Sequence, residues 1–155
     1  MPQLVKGGKH VFGWSKVDKM GKIPIPPEAW IEYDYHIDDE VILVSGSKKS
    51  GGFSIIRLQI FLKSPLSNTP IDDSRYSKKQ FPRNEIFHHH NRYLFITKLV
   101  ANNEINLGVG VLDEYDVEVD TNLLAVRGSG LGLGLISKGP IYEEAKKHRD
   151  LPLYL

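Results

Sequence analysis

Apolar and polar residues alternate over short stretches of the chain, which predicts strands rather than long helices. The segment SKVDKM alternates in this way and ends at the Met20–Gly21 turn, as expected for a short strand before a tight turn. The following KIPI predicts a second extended piece at an edge or an exit of the sheet, because proline donates no ladder hydrogen bond. Pro27 suits the first turn of a short helix, PEAWIEY.

Apolar runs and breakers predict the remaining elements. EVILVSG has the composition of a buried strand, and residues 51–62, GGFSIIRLQIFL, are predicted to pair back with it as a hairpin. After the Gly139–Pro140 breaker, apolar positions at helical spacing predict a C-terminal helix over residues 141–149, lying on the rest of the fold. We therefore expect a mainly β fold with short helices.

The same order of elements occurs twice. Residues 16–47 align without a gap on residues 98–129, and nine of 32 positions are identical. Unrelated registers would match at about two positions at ordinary residue frequencies, so we interpret the period as one structural unit used twice. The identical pairs are Lys16/Lys98, Ile23/Ile105, Glu32/Glu114, Tyr33/Tyr115, Asp34/Asp116, Asp38/Asp120, Val44/Val126, Gly46/Gly128 and Ser47/Ser129.

The repeat divides the chain into a first half (10–62), a linker or insertion (63–92), a second half (93–137) and a C-terminal helix and tail (138–155), together expected to form one compact domain of ordinary size. The chain contains no cysteine, which excludes disulfides and thiolate metal sites. Its net charge is +1, so any nucleic-acid contact has to come from a local patch. No apolar run is long enough to span a membrane, and we expect a cytoplasmic protein.

The first half resembles the AbrB/MazE/SpoVT family of swapped-hairpin domains. The resemblance rests on GKIPIP at residues 21–26, then Glu28, Asp39 and the strand VILV at residues 41–44. The second half matches only through the repeat, because NEINLG at residues 103–108 has neither the prolines nor the basic residue.

The resemblance implies a swapped-hairpin β-barrel, here built from two tandem halves of one chain, and a role in transcription regulation. It also implies double-stranded DNA as a partner, with a homodimer and a protein partner such as a toxin as further expectations. The family commonly carries arginines on the helix after the I-P element. Trp30 and Ile31 occupy those positions here, and Leu112 and Asp113 are their copies.

Lysines supply the candidate DNA contacts, because each can neutralise a phosphate, and we expect a basic face of the first half to lead the contact. Three belong to the first strand and the turn after it, two to the SGSKKSGG turn, and one is the repeat copy of Lys16. The alternative is an ordinary solvated face. These candidates are Lys16, Lys19, Lys22, Lys48, Lys49 and Lys98.

Basic residues of the linker stand among aromatic ones, which suits phosphate contact plus stacking by a DNA arm; a polar loop is the alternative. The arm candidates are Arg75, Lys78, Lys79 and Arg83. Trp30 and Ile31 are candidates for a partner surface if they are exposed.

Two further motifs favour structural interpretations. His88 to His90 would not all reach one metal from a strand, because neighbours face opposite sides, so we expect no metal site. The alternating glycines of residues 128–134 lack a dinucleotide-binding context, which favours close backbone packing over a bound ligand. No nucleophile or histidine recurs with the acidic residues, so we expect no enzyme and no cofactor. The alternative to DNA binding is a non-enzymatic module for a protein partner or small ligand.

Overall fold

The computed structural model of the chain describes residues 10–65, 81–89, 91–128 and 130–155. Within these residues, short strands dominate over short helices. The strands are β1 (Val11–Lys16), β2 (Lys22–Pro24), β3 (Glu40–Ser45), β4 (Phe53–Arg57), β5 (Phe87–His89), β6 (Arg92–Lys98), β7 (Glu104–Asn106), β8 (Asn122–Arg127), β9 (Gly132–Ile136) and β10 (Leu153–Tyr154), and the helices are α1 (Pro27–Glu32), α2 (Leu58–Lys63), α3 (Val109–Glu114) and α4 (Pro140–Ala145).

Elements recur at the spacing of the sequence repeat. β2, α1 and β3 return 82 residues later as β7, α3 and β8, and β1 and β6 end at the matched Lys16 and Lys98. The turn before β9 is shorter than the turn before β4, so the match loses its register after β8. We call residues 10–62 the first half and residues 93–137 the second half.

Strands of the two halves are interleaved in one eight-stranded sheet, in the order β10-β1-β8-β9-β4-β3-β6-β5. β1 of the first half pairs with β8 of the second, and β6 of the second half pairs with β3 of the first. β2 and β7 form a separate two-stranded ribbon. Each half thus lends its first strand to the hairpin of the other half.

Backbone hydrogen bonds at the ends of β1 and β6 repeat this exchange. The N–H of Val17 donates to the carbonyl of Thr121 at 2.9 Å, and the N–H of Leu99 donates to the carbonyl of Asp39 at 3.0 Å. These two bonds join positions related by 82 residues, so each half completes the same contact with the other.

Identical aspartates in the two halves occupy one unusual backbone conformation. Asp34 and Asp116 have φ of 56° and 58°, and Asp38 and Asp120 have φ of 73° and 61°. Few residues other than glycine tolerate this left-handed region, and aspartate and asparagine are the usual exceptions. The repeat conserves these acids in identity because the turns between helix and strand require that conformation.

The sheet is covered on both faces. Its inner face packs against α1, α3 and the ribbon in the main core, which contains Tyr35, Leu43, Phe53, Leu112 and Leu133. On the outer face, α2 and the segment around Phe81 cover β3, β4 and β6, while α4 covers β1 and β8.

Three expectations are corrected in part. The mainly β prediction is confirmed, but among the described residues the sheet has free ends at β10 and β5 and does not close into a barrel. β4 ends at Arg57, because Leu58 and Phe61 at helical spacing bury one side of α2 instead of continuing the hairpin. The C-terminal helix α4 is shorter than predicted, and the chain returns as β10, parallel to β1.

No helix in the described part of the chain combines the length and apolarity needed to cross a membrane.

Candidate nucleic-acid interface

Lys16 lies exposed at the end of β1, and the second-half residues at the start of β8 beside it are neutral, while Asp18 and Glu104 line the same surface depression as Lys16. Asn122 is its partner across the β1–β8 ladder, and Thr121 accepts the hydrogen bond from Val17. The nearest acidic position in this turn is Asp120, whose N–H donates to the carbonyl of Val17 at 2.8 Å.

Lys98, the repeat copy of Lys16, has acidic residues at the corresponding places. Glu40 is its partner across the β6–β3 ladder, and Asp39 accepts the hydrogen bond from Leu99. Asp38 completes the turn, as Asp120 does in the other half. Beside Lys98, Glu40 and Asp39 thus occupy the places that Asn122 and Thr121 occupy beside Lys16. Because these two residues are acidic, the surroundings of Lys98 are less favourable to a phosphate.

Lys22 lies on the ribbon, and its ammonium is 3.5 Å from the carboxylate of Glu104 on β7. The sequence places these residues at matched positions of separate halves, but pairing of β2 with β7 brings them together. Lys22 is therefore partly neutralised. Lys19, in the exposed turn before it, has no carboxylate within ion-pair distance among the described residues.

Lys48 and Lys49 are exposed in the turn between β3 and β4, which packs against the end of β9. The N–H of Lys138 donates to the carbonyl of Ser50 at 3.1 Å, which brings a further lysine to this turn. Leu124 pairs with Ile136, and Asn122 with Lys16, so these lysines and Lys16 share one end of the sheet. We call this the lysine end. Lys138 was not predicted as part of the site, since only strand register brings it there.

Arginines at the opposite end of the sheet are held by acids. The guanidinium of Arg127 donates to both oxygens of Glu32 at 2.9 Å and 2.5 Å, and this pairing raises the pKa of Arg127. Arg57 lies 3.5 Å from Asp39, and Arg83 lies 2.5 Å from Glu40. These three arginines are thus paired with carboxylates of the same chain, and we call this end of the sheet the acid-bound end.

Of the predicted DNA arm, Arg75, Lys78 and Lys79 lie outside the described residues. Arg83 is described and is fixed by Glu40 and by the carbonyl of Phe81, which accepts its hydrogen bond at 2.6 Å. Arg83 therefore belongs to the acid-bound end and not to the lysine end.

The predicted partner surface divides into one packed residue and one exposed residue. Trp30 is half-buried and packs edge to face on Tyr35, with ring centroids 5.8 Å apart. Ile31 is 78% exposed. An isolated exposed isoleucine is common on soluble proteins and does not by itself mark a contact surface.

His88 of the histidine motif and Gly132 of the glycine motif have packing partners, and His90 lies outside the described residues. His88 meets the edge of Tyr93, with ring centroids 4.7 Å apart. Within the described ranges, no group of three or more histidines and acids is arranged to hold a metal. A Cβ added to Gly132 would lie 2.1 Å from the carbonyl oxygen of Ile55, so this glycine permits close approach of β4 to β9.

Comparison with models of known protein families, with characterised proteins and with solved structures gives no significant match. Function is therefore inferred from the geometry and charge of the site.

Proposed function

We propose that the chain is a DNA-binding transcription regulator of the AbrB type, assembled as a swapped-hairpin unit from its two halves. The interleaved pairing of β1 with β8 and of β6 with β3 supports the exchange of hairpins. The GKIPIP stretch of the first half supports the choice of family.

One observation carries the proposal of DNA binding: the exposed lysines of the lysine end have no ion-pair partner among the described residues, whereas the arginines of the opposite end are each paired with an acid. The lysines of this end, Lys16, Lys48, Lys49 and Lys138, are exposed, as is Lys19 in the turn after β1. None of them lies within ion-pair distance of a carboxylate in the described part of the chain. Exposed lysines of this kind bind phosphate and release counterions, which gives affinity without base readout. Contact through about three phosphates would give a salt slope of roughly −3.

The experiment is a fluorescence anisotropy titration of a mixed-sequence duplex at two salt concentrations, with Lys16→Ala and Lys98→Ala as the matched pair. We expect Lys16→Ala to weaken binding at low salt and to reduce the salt slope by about one. Lys98→Ala should change neither the affinity nor the salt slope by more than the experimental error. Equal losses in the two variants would refute the lysine end as the leading contact.

Absence of salt-dependent binding by the wild-type chain would remove the regulator proposal altogether. The non-enzymatic binding module would then take its place, with the exposed side of α1 around Ile31 as the surface to examine.

A further inference from the structure

A cleft opens in the middle of the outer face of the sheet, between the two helices that cover it. α2 covers β3, β4 and β6, and α4 covers β1 and β8, but neither reaches the centre. Ser54 of β4 and Gly134 of β9 are paired there, and both side chains are too small to fill the space. The cleft has a volume of about 290 Å³.

Apolar residues of the outer face line one part of the cleft. Val44, Ile56 and Val126 are buried residues of the outer face that line it, and Ile136 is half-buried beside them. Small-molecule sites typically combine such an apolar lining with a few placed polar groups.

The polar groups lie along one rim, and those with charge are positive. Arg92 lines the cleft, and its guanidinium donates to the carbonyl of Ser45 at 2.6 Å, which fixes the side chain. Ser47 and Ser50 add hydroxyls from the β3–β4 turn. The Cε of Lys138 would lie 3.5 Å from a Cβ placed on Gly51, which also lines the cleft.

The cationic groups of this rim are available to a ligand. No carboxylate lies within ion-pair distance of Arg92 or Lys138 in the described ranges, whereas Arg57, Arg83 and Arg127 are each paired with an acid. A guanidinium fixed by a carbonyl at one nitrogen keeps further N–H donors for a planar or tetrahedral anion.

From this arrangement we propose that the outer-face cleft binds a small organic anion, a carboxylate or phosphate ester with a compact apolar body. The apolar body lies on Val44, Ile56 and Val126, and the anionic group meets Arg92 and the serine hydroxyls of the turn. The site does not depend on DNA binding by the lysine end, so it stands or falls separately from the proposed function.

The test is a titration of the full chain, without DNA, followed by backbone amide chemical shifts. Phenyl phosphate is the probe, benzyl alcohol is the uncharged analogue, and inorganic phosphate is the anion without an apolar body. We expect phenyl phosphate to saturate with Kd of about 1 mM or tighter. Its shifts should be confined to residues around Ser45, Ser54, Arg92 and Gly134, and both other probes should bind at least about tenfold more weakly.

Arg92→Gln should lower the affinity for phenyl phosphate by about tenfold, because a charge-assisted hydrogen bond is lost. The matched control is Arg83→Gln, an exposed arginine that also donates to a carbonyl but lies away from the cleft; it should bind within about twofold of the wild type. Ser54→Leu, which fills the cleft, should abolish saturation even if Arg92→Gln fails to fold. Unchanged binding by a folded Arg92→Gln or by Ser54→Leu, equal binding of benzyl alcohol, or shifts spread over the surface lysines would overturn the proposal.

Discussion

Lys16 and Lys98 end equivalent strands in the two halves and make equivalent backbone contacts, yet the residues around them differ. Asn122 and Thr121 lie beside Lys16, and Glu40 and Asp39 lie beside Lys98. Because the first strands are exchanged, each lysine lies beside the turn of the other half. Neutral residues of the second half therefore lie beside a lysine of the first half.

Some acids of the two turns are required by the backbone conformation, and others are not. The left-handed turns keep Asp38 and Asp120 in both halves because the conformation demands such a residue. Positions 39 and 40 are extended or half-exposed and carry no such demand, so their copies at 121 and 122 are free to become neutral.

The largest effect is expected where the two halves meet. Gly132→Ala should lower the free energy of unfolding by about 3 kcal/mol, because the added Cβ would overlap the carbonyl of Ile55 and force β4 and β9 apart. Gly130→Ala is the control, since its Cβ would meet nothing within 4 Å. Urea unfolding of both variants measures this loss. Similar midpoints for the two variants would show that β4 and β9 are not tightly packed against each other.

A smaller loss is expected from the tyrosines that cross the core. Tyr35 donates to the carbonyl of Ile55 at 2.6 Å and accepts from the N–H of Leu133 at 3.2 Å, whereas Tyr115 donates to the carbonyl of Leu43 at 2.8 Å, with the carbonyl of Tyr93 at 3.5 Å. Tyr35→Phe should lower the free energy of unfolding by about 2 kcal/mol, and Tyr115→Phe should lower it by about 1 kcal/mol. Equal losses from thermal unfolding would contradict the bridging role of Tyr35.

Burial raises the pKa of Tyr35 above its ordinary value of 10.0. The stability that this neutral tyrosine contributes is complete below the unfolded pKa of about 10 and is lost as pH rises towards the folded value. The free energy of unfolding, measured between neutral and strongly alkaline pH, should therefore fall less steeply with pH for Tyr35→Phe than for the wild type. A parallel fall would mean that Tyr35 ionises in the folded protein as freely as in the unfolded chain.

The smallest effect is expected from a charge placed at the acid-bound end. Ile31→Lys should leave stability within about 0.5 kcal/mol, because the side chain is 78% exposed. Glu32 of α1 is paired with Arg127 at one end of β8. Asn122, at the other end of β8, lies about 17 Å away, which is roughly twice the electrostatic screening length at physiological salt. DNA affinity should change by less than about twofold, and a larger gain would move the interface to α1.

Much of the backbone could be predicted from the sequence, because its signals are local. Turn glycines, prolines that end β2 and begin α1, and alternating apolar residues identify most elements, and the repeat predicts their second copies. α2 was wrongly predicted as strand, since a short apolar run such as FSIIRLQIFL suits both structures and packing decides between them.

The candidate site was less predictable, because its decisive contacts join residues distant in the chain. Nothing in the sequence near Lys22 indicates an ion pair with Glu104, and nothing near Lys138 indicates contact with the β3–β4 turn. The return of β10 beside β1 was likewise missed, since two residues carry too little pattern to predict a strand.

The most direct test gives Lys16 the kind of acidic cross-strand partner that Lys98 has. Asn122→Glu places an acid opposite Lys16, where Glu40 stands opposite Lys98, and Asn122→Gln controls for size without charge. In DNA titrations at low salt, we expect Asn122→Glu to weaken binding several-fold and to lower the salt slope by about one, while Asn122→Gln and Glu40→Gln bind as tightly as the wild type or more tightly. Wild-type affinity and slope in Asn122→Glu would contradict the account, because phosphate would then not lie near Lys16.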